Sequence, residues 1–123
     1  MHPINETIVN YIGAWNETDP GRRRALIEQT WSDDGTYLDA HREGTGHAAI
    51  DAMIEAVQQQ FSGYRLRLRG GIEIHHDRVR FSWNAGGTET APLYIGGTDF
   101  ATVAKDGRLR AVTGFIDAMP AMA

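Results

Sequence analysis

The stretch TYLDAH, Thr36 to His41, carries an acid where a β-strand disfavours one. Side chains alternate across a strand, so Tyr37, Asp39 and His41 share one face and Thr36, Leu38 and Ala40 the other. Two readings follow. With the Leu38 face inward, Asp39 is solvated or bonds a nearby backbone N–H. With the Tyr37 face turned to a cavity, Asp39 is a carboxylate in an apolar place, where burial raises its pKa toward that of a working general base. A base beside a C–H, with hydrogen-bond donors beside the carbonyl oxygen, supports enolisation. His41 either lines the mouth of such a cavity, as a group that titrates near neutrality, or is a surface histidine entering a glycine-rich loop. Asp99 is a second acid among apolar residues, after Gly96, Gly97 and Thr98. It either caps turn N–H groups or faces inward with Gly97, Ala101 and Val103, leaving Phe100 outside the fold against another subunit.

Other chemistries find no support. The chain has no cysteine, which excludes disulfides, thiol catalysis and cysteine metal sites, and permits a reducing compartment such as the cytoplasm. His75, His76 and Asp77 are adjacent, so the two histidines point to opposite strand faces and do not chelate one ion. No metal and no cofactor are expected. The GTGHAA stretch lacks the Lys-Ser/Thr of a phosphate loop and more simply forms a turn into a helix. Net charge is −4 over 123 residues, a poor balance for nucleic-acid binding. Arg65, Arg67, Arg69, Arg78 and Arg80 form a stripe without interleaved aromatics, which reads as a solvated or subunit-facing sheet face with Glu73 available for pairing. The N-terminal stretch does not read as a signal peptide, and no run approaches membrane-spanning length.

The elements that must position these residues are legible in the periodicity. From about Pro3 to Glu17 the apolar positions Ile4, Ile8, Tyr11, Ile12 and Trp15 make one helical stripe, with Tyr11 inward. Asp19 suits an N-cap and Pro20 the first position of a second helix, with Leu26, Ile27 and Trp31 inward. SDDG is expected to break the chain before the first strand. HREGTG reads as a connection, and a third helix runs near His47 to Phe61. Beyond it the period becomes two: Leu66 and Leu68, Ile72 and Ile74, then Val79, Phe81 and Trp83 against charged neighbours. Two further runs meet at Asp106-Gly107, a hairpin signal. The order α-α-β-α-β-β-β-β predicts one α+β domain: three helices on a strongly curved, mostly antiparallel sheet, bent at strand glycines such as Gly96, Gly97 and Gly114. Such a cone encloses a pocket, with Trp15, Met53, Val57, Phe81, Trp83, Val112 and Ile116 as candidate walls beside Tyr37 and His41.

Four stretches carry a resemblance over nearly the whole chain: YIGAWN, WSDDGTYLD, GHAAIDAMIEAV and GTDFATVAKDGRLRAVTGF. On these the chain resembles the NTF2-like (cystatin-like) superfamily, in particular its small SnoaL-like bacterial members, relatives of ketosteroid isomerase and the polyketide cyclases. The resemblance specifies a fold more sharply than a reaction, because the fold hosts isomerases, cyclases, hydrolases, dehydratases and binders. It implies that Asp39 stands at the position of the isomerase's general base, with Ala40 replacing a proline. Asp99, at the matching distance from its turn, takes the place of a protonated aspartate that donates to the oxyanion, and Tyr11 that of the oxyanion-hole tyrosine. The segment between Tyr11 and Asp39 is longer than in the isomerase. A homodimer through the outer sheet face is also implied. The functions in view are cofactor-independent proton transfer on a small apolar carbonyl compound, ligand binding without turnover, and a dimerising interaction module. An epoxide hydrolase would need an arginine bridging two carboxylates around a water, and no inward arginine is identifiable.

Overall fold

The apolar stripe of the first segment forms α1 (Pro3–Asn16) in the computed structural model, which describes residues 3–118. Ile4, Ile8, Tyr11 and Trp15 are all buried along it. Asp19 caps α2 (Pro20–Thr30): its Oδ2 accepts a hydrogen bond from the Arg22 backbone N–H at 2.9 Å, and Pro20 opens the helix. Ile50 and Ile54 bury the inner face of α3 (His47–Gln60). Six strands complete the fold: β1 (Trp31–Leu38), β2 (Glu43–Thr45), β3 (Leu66–His75), β4 (Arg78–Ala85), β5 (Ile95–Val103) and β6 (Leu109–Ala118). They form one sheet in the order β2-β1-β6-β5-β4-β3, with only β1 and β6 parallel among neighbouring strands. The α+β class and the three helices match the expectation.

Three details differ from it. The glycine-rich connection after His41 contains a strand, β2, so the observed order is α-α-β-β-α-β-β-β-β. Three residues are too short for a period-two signal to register. SDDG lies inside β1, and Trp31 begins the strand. Gly35 allows this: a Cβ there would stand 2.8 Å from the Trp31 ring, so the chain folds down on the indole where only glycine fits. The register with β6 shifts between Trp31 and Thr36. Third, the sheet is not strongly curled. Strand glycines serve more as clearance than as bends. A Cβ on Gly97 would meet the Trp83 indole at 2.4 Å, and one on Gly114 would meet Asp99 Oδ1 and Tyr37 Oη, each at 2.9 Å. Gly70, at φ 72°, does sit where the β3–β4 register shifts.

The helices cover one face of the sheet. Between them lie Ile27, Trp31, Val79, Phe81, Leu109 and Val112, all buried. Tyr11 is the hinge of the aromatic core, 5.1 Å from Phe81 and 5.2 Å from Trp31 between ring centroids. No helix among the described residues is long and apolar enough to cross a membrane.

Candidate active site

Asp39 follows β1 and opens the tight return into β2. Its side chain builds that return: Oδ1 accepts from the backbone N–H of His41 at 2.8 Å and of Arg42 at 3.0 Å. Oδ2 accepts from Tyr37 Oη at 2.7 Å and from Arg42 Nη1 at 2.8 Å. Exposure separates the two faces of the strand, with Asp39 at 8% and Leu38 at 48%. The carboxylate is therefore inside. Its pKa nevertheless moves opposite to the expectation. Desolvation acts to raise it, but the His41 N–H, the Tyr37 hydroxyl and the charge and N–H of Arg42 together hold it below the ordinary aspartate value. Asp39 is an anchored anion.

Asp99 behaves differently. It lies in the middle of the sheet, opposite Phe81 on β4 and Gly114 on β6, and is 2% exposed. Tyr11 Oη donates to its Oδ2 at 2.6 Å, and Trp83 Nε1 donates to its Oδ1 at a longer 3.3 Å. Desolvation lifts its pKa to about 6, against the lowering effect of the Tyr11 and Trp83 bonds, and the charges of Asp39 and Asp117 add to the rise. Burial, then the neighbouring Asp99 charge, also pushes the hydroxyls of Tyr11 and Tyr37 up. The two Tyr–Asp pairs face each other across bare backbone: Asp99 Oδ1 and Tyr37 Oη are both 2.9 Å from the point a Cβ would occupy on Gly114.

Both pairs open on a cavity of about 80 Å³ between α1, α3 and the inner sheet face. Tyr11, Trp15, Tyr37, Asp39, His41, Val57, Trp83, Asp99 and Ile116 lie on its wall, with His41 exposed at the rim. Met53, Phe81 and Val112 do not. Phe81 and Val112 are in the core behind the wall, and Met53 is half-buried against that core. Periodicity identifies an inward face but not how deep each residue lies on it. The wall also includes Arg42, Phe61, Tyr64, Leu66, Ala85 and Ile95, which the sequence did not single out. Arg42 had a local signal, since an Asp-x-x-Arg turn places the guanidinium back on its own carboxylate. The others come from element ends, where periodicity is weakest. Among the described residues no arginine bridges Asp39 to Asp99, and no three His, Cys, Asp or Glu side chains form a metal site.

A candidate isomerase of the SnoaL-like family from Agrobacterium tumefaciens str. C58 is 38% identical to this chain, with a TM-score of 0.88 over 96% of this chain and 100% of that one. The chain belongs to the SnoaL-like family. Two more distant structures share the fold. One is a candidate SnoaL-like polyketide cyclase from Jannaschia sp. CCS1, 13% identical, TM-score 0.74, over 94% of this chain and 85% of that one. The other is a protein with a ketosteroid isomerase-like fold from Catenulispora acidiphila, in complex with trimethylamine, 17% identical, TM-score 0.74, over 89% of this chain and 84% of that one. No protein-family model matches the chain, and no curated protein matches it.

In this SnoaL-like protein the surroundings push two carboxylates apart in pKa, Asp39 down and Asp99 up. Asp39 spends both oxygens on four donors. Asp99 Oδ2 is taken by the short Tyr11 bond, while Oδ1 holds only the long Trp83 bond. Oδ1 is therefore the oxygen with a lone pair to spare.

Proposed function

We propose that this SnoaL-like protein transfers a proton at the carbon next to a carbonyl in a small, mainly apolar molecule, as an isomerase or cyclase without a cofactor. Asp99, more than Asp39, is the group that takes and returns the proton. The observation that carries this reading is a buried carboxylate on the cavity wall with a pKa of about 6. A base of that strength is largely ionised at neutral pH yet still binds a proton usefully. In the step, Asp99 Oδ1 accepts the α-proton, the C–H electron pair forms the enolate, and the carboxylic acid returns the proton to the same or a conjugated carbon. Tyr11 keeps Asp99 oriented, and Tyr37, Asp39 and Arg42 hold the opposite wall.

Exchange of the α-hydrogens of cyclohexanone in deuterated buffer, followed by NMR, tests the proposal. The wild type is expected to accelerate exchange with a rate that rises through an apparent pKa near 6. Asp99→Asn is expected to lose about 10²–10⁴-fold of that acceleration. Exchange no faster than in buffer would leave binding without turnover. One observation favours that second reading: Tyr11, Tyr37 and both aspartates already have partners inside the protein. We further propose a homodimer through the outer sheet face, where Phe100 and Phe115 stack edge to face in the open.

A further inference from the structure

Asp39, Asp51 and Asp99 are the buried carboxylates among the described residues. Buried charges are ordinarily paired. Asp51 Oδ1 accepts from Arg23 Nε at 2.6 Å, and Asp39 Oδ2 accepts from Arg42 Nη1 at 2.8 Å. Asp99 is the most deeply buried of them, yet no cation pairs with it among the described residues. Its partners are the neutral Tyr11 hydroxyl and the Trp83 indole. The charged groups that act on it most, Asp39 and Asp117, are both acids. The Tyr37 hydroxyl gives its proton to Asp39 and stands with Asp99 Oδ1 over the bare backbone of Gly114. Two oxygens with lone pairs to offer therefore converge there. Around them the cavity wall is largely aromatic, with Tyr11, Trp15, Phe61, Tyr64 and Trp83.

We propose that this cavity binds a compact protonated amine, with Asp99 as its counterion. An ammonium group supplies what the wall lacks: a positive charge for the Asp99 carboxylate, and N–H donors for Asp99 Oδ1 and Tyr37 Oη. The faces of aromatic rings attract a cation as well. An anion would lie beside Asp99 without compensation, because the Arg42 charge is already paired with Asp39. A neutral alcohol would donate one hydrogen bond and leave the carboxylate charge unanswered. Size agrees: at roughly 10–15 Å³ of such space per water, a cavity of about 80 Å³ suits a single six-membered ring. Below about pH 6 the empty cavity holds Asp99 protonated, so the amine binds there only as that proton leaves for solvent. The inference uses the cavity proposed above as a reaction site but does not rest on the reaction. An amine on Asp99 would block proton transfer by occupying the same carboxylate.

Calorimetric titration of the wild-type chain with cyclohexylammonium, cyclohexanol and cyclohexanecarboxylate tests this. At pH 8 the ammonium is expected to bind about tenfold tighter than the alcohol of the same shape, the worth of a hydrogen bond to a charged group. The carboxylate is expected not to bind. Asp99→Asn should bring the ammonium down to the affinity of the alcohol. Between pH 8 and pH 5 the wild type should lose about tenfold in ammonium affinity as Asp99 takes up its proton, while the ligand stays charged as lysine does. Histidines change charge in this range too, and the Asp99→Asn variant separates His41 at the rim from Asp99: it should show no such loss. Equal binding of ammonium and alcohol overturns the proposal. So does an Asp99→Asn variant that keeps the preference or the pH dependence. If the ammonium binds as expected while α-hydrogen exchange is not accelerated, the amine site stands and the proton-transfer reading fails. Accelerated exchange with no amine binding overturns the amine site alone.

Discussion

At the scale of residues, two aspartates of one chain acquire opposite character from the donors around them. Against desolvation, the N–H groups of His41 and Arg42, the Tyr37 hydroxyl and the Arg42 charge lower the pKa of Asp39, while burial with fewer donors raises that of Asp99. Each shift has a sign in stability. Folded Asp99 retains a proton between the ordinary 3.8 and about 6, where the unfolded chain releases it. Its contribution to stability therefore falls as pH rises through that window and stays lost above it, by on the order of 2–3 kcal/mol. Asp99→Asn is expected to be more stable than the wild type at pH 8, with the difference closing by pH 4. Urea unfolding at both values checks this, and an equal effect at the two would show that Asp99 is not held with a raised pKa. Asp39 has the reverse sign: its contribution is present at neutral pH and is lost as pH falls through its lowered pKa. Asp39→Asn should cost about 1–3 kcal/mol at pH 7, the effect of weakening hydrogen bonds to a buried charge.

At the scale of elements, α2 ties the helices together through a buried arginine. Arg23 Nε donates to Asp51 Oδ1 on α3 at 2.6 Å, and its Nη1 donates to Gln58 Oε1 at 3.0 Å. Gln58 Nε2 in turn caps the end of α1, donating to the carbonyls of Trp15 and Glu17. The network thus ends on the residue that faces the cavity. Arg23→Met leaves Asp51 buried with only the longer Arg24 contact and should cost about 3 kcal/mol, by the rule for breaking a buried pair. The double variant Arg23→Met with Asp51→Leu should recover most of it, because it removes the stranded charge along with its partner. Thermal melts of the two variants provide the comparison. If the double variant is no more stable than the single one, the cost lies in packing and not in charge.

For the whole molecule, the sheet has one face under the helices and one in the open. On the open face Leu38 and Phe100 flank Thr113 across three strands, and Phe115 follows two residues along β6. Phe100 and Phe115 meet edge to face there and Leu38 is exposed on the same face, while two arginines of the sheet are paired, Arg80 with Glu73 and Arg69 with Asp117. An apolar patch beside neutralised charge suits a second copy of the chain. Sedimentation is expected to show a dimer, and Phe115→Glu, which would place a carboxylate in the seam, a monomer. A wild-type chain that sediments as a monomer at high concentration would remove the dimer from the proposal.

The sequence by itself determined what repeats along the chain: the three helices, the alternating strands, the hairpin at Asp106-Gly107, and the resemblance to the SnoaL-like family. Alternation also paired Tyr37 with Asp39 and set Leu38 apart, but it left open which face was inside. Tertiary structure decided that, because burial belongs to the packing of α1 and α3 on the sheet and not to the strand. It alone showed that SDDG is strand, that β2 exists, and that Arg23 is buried, although Arg23, Ile27 and Thr30 share a helical face at i, i+4 and i+7. Above all it set the chemistry of the two carboxylates. A residue type states that a group can ionise. How readily it does so depends on which donors reach it, and here those come from residues as far apart in the chain as Tyr11 and Asp99.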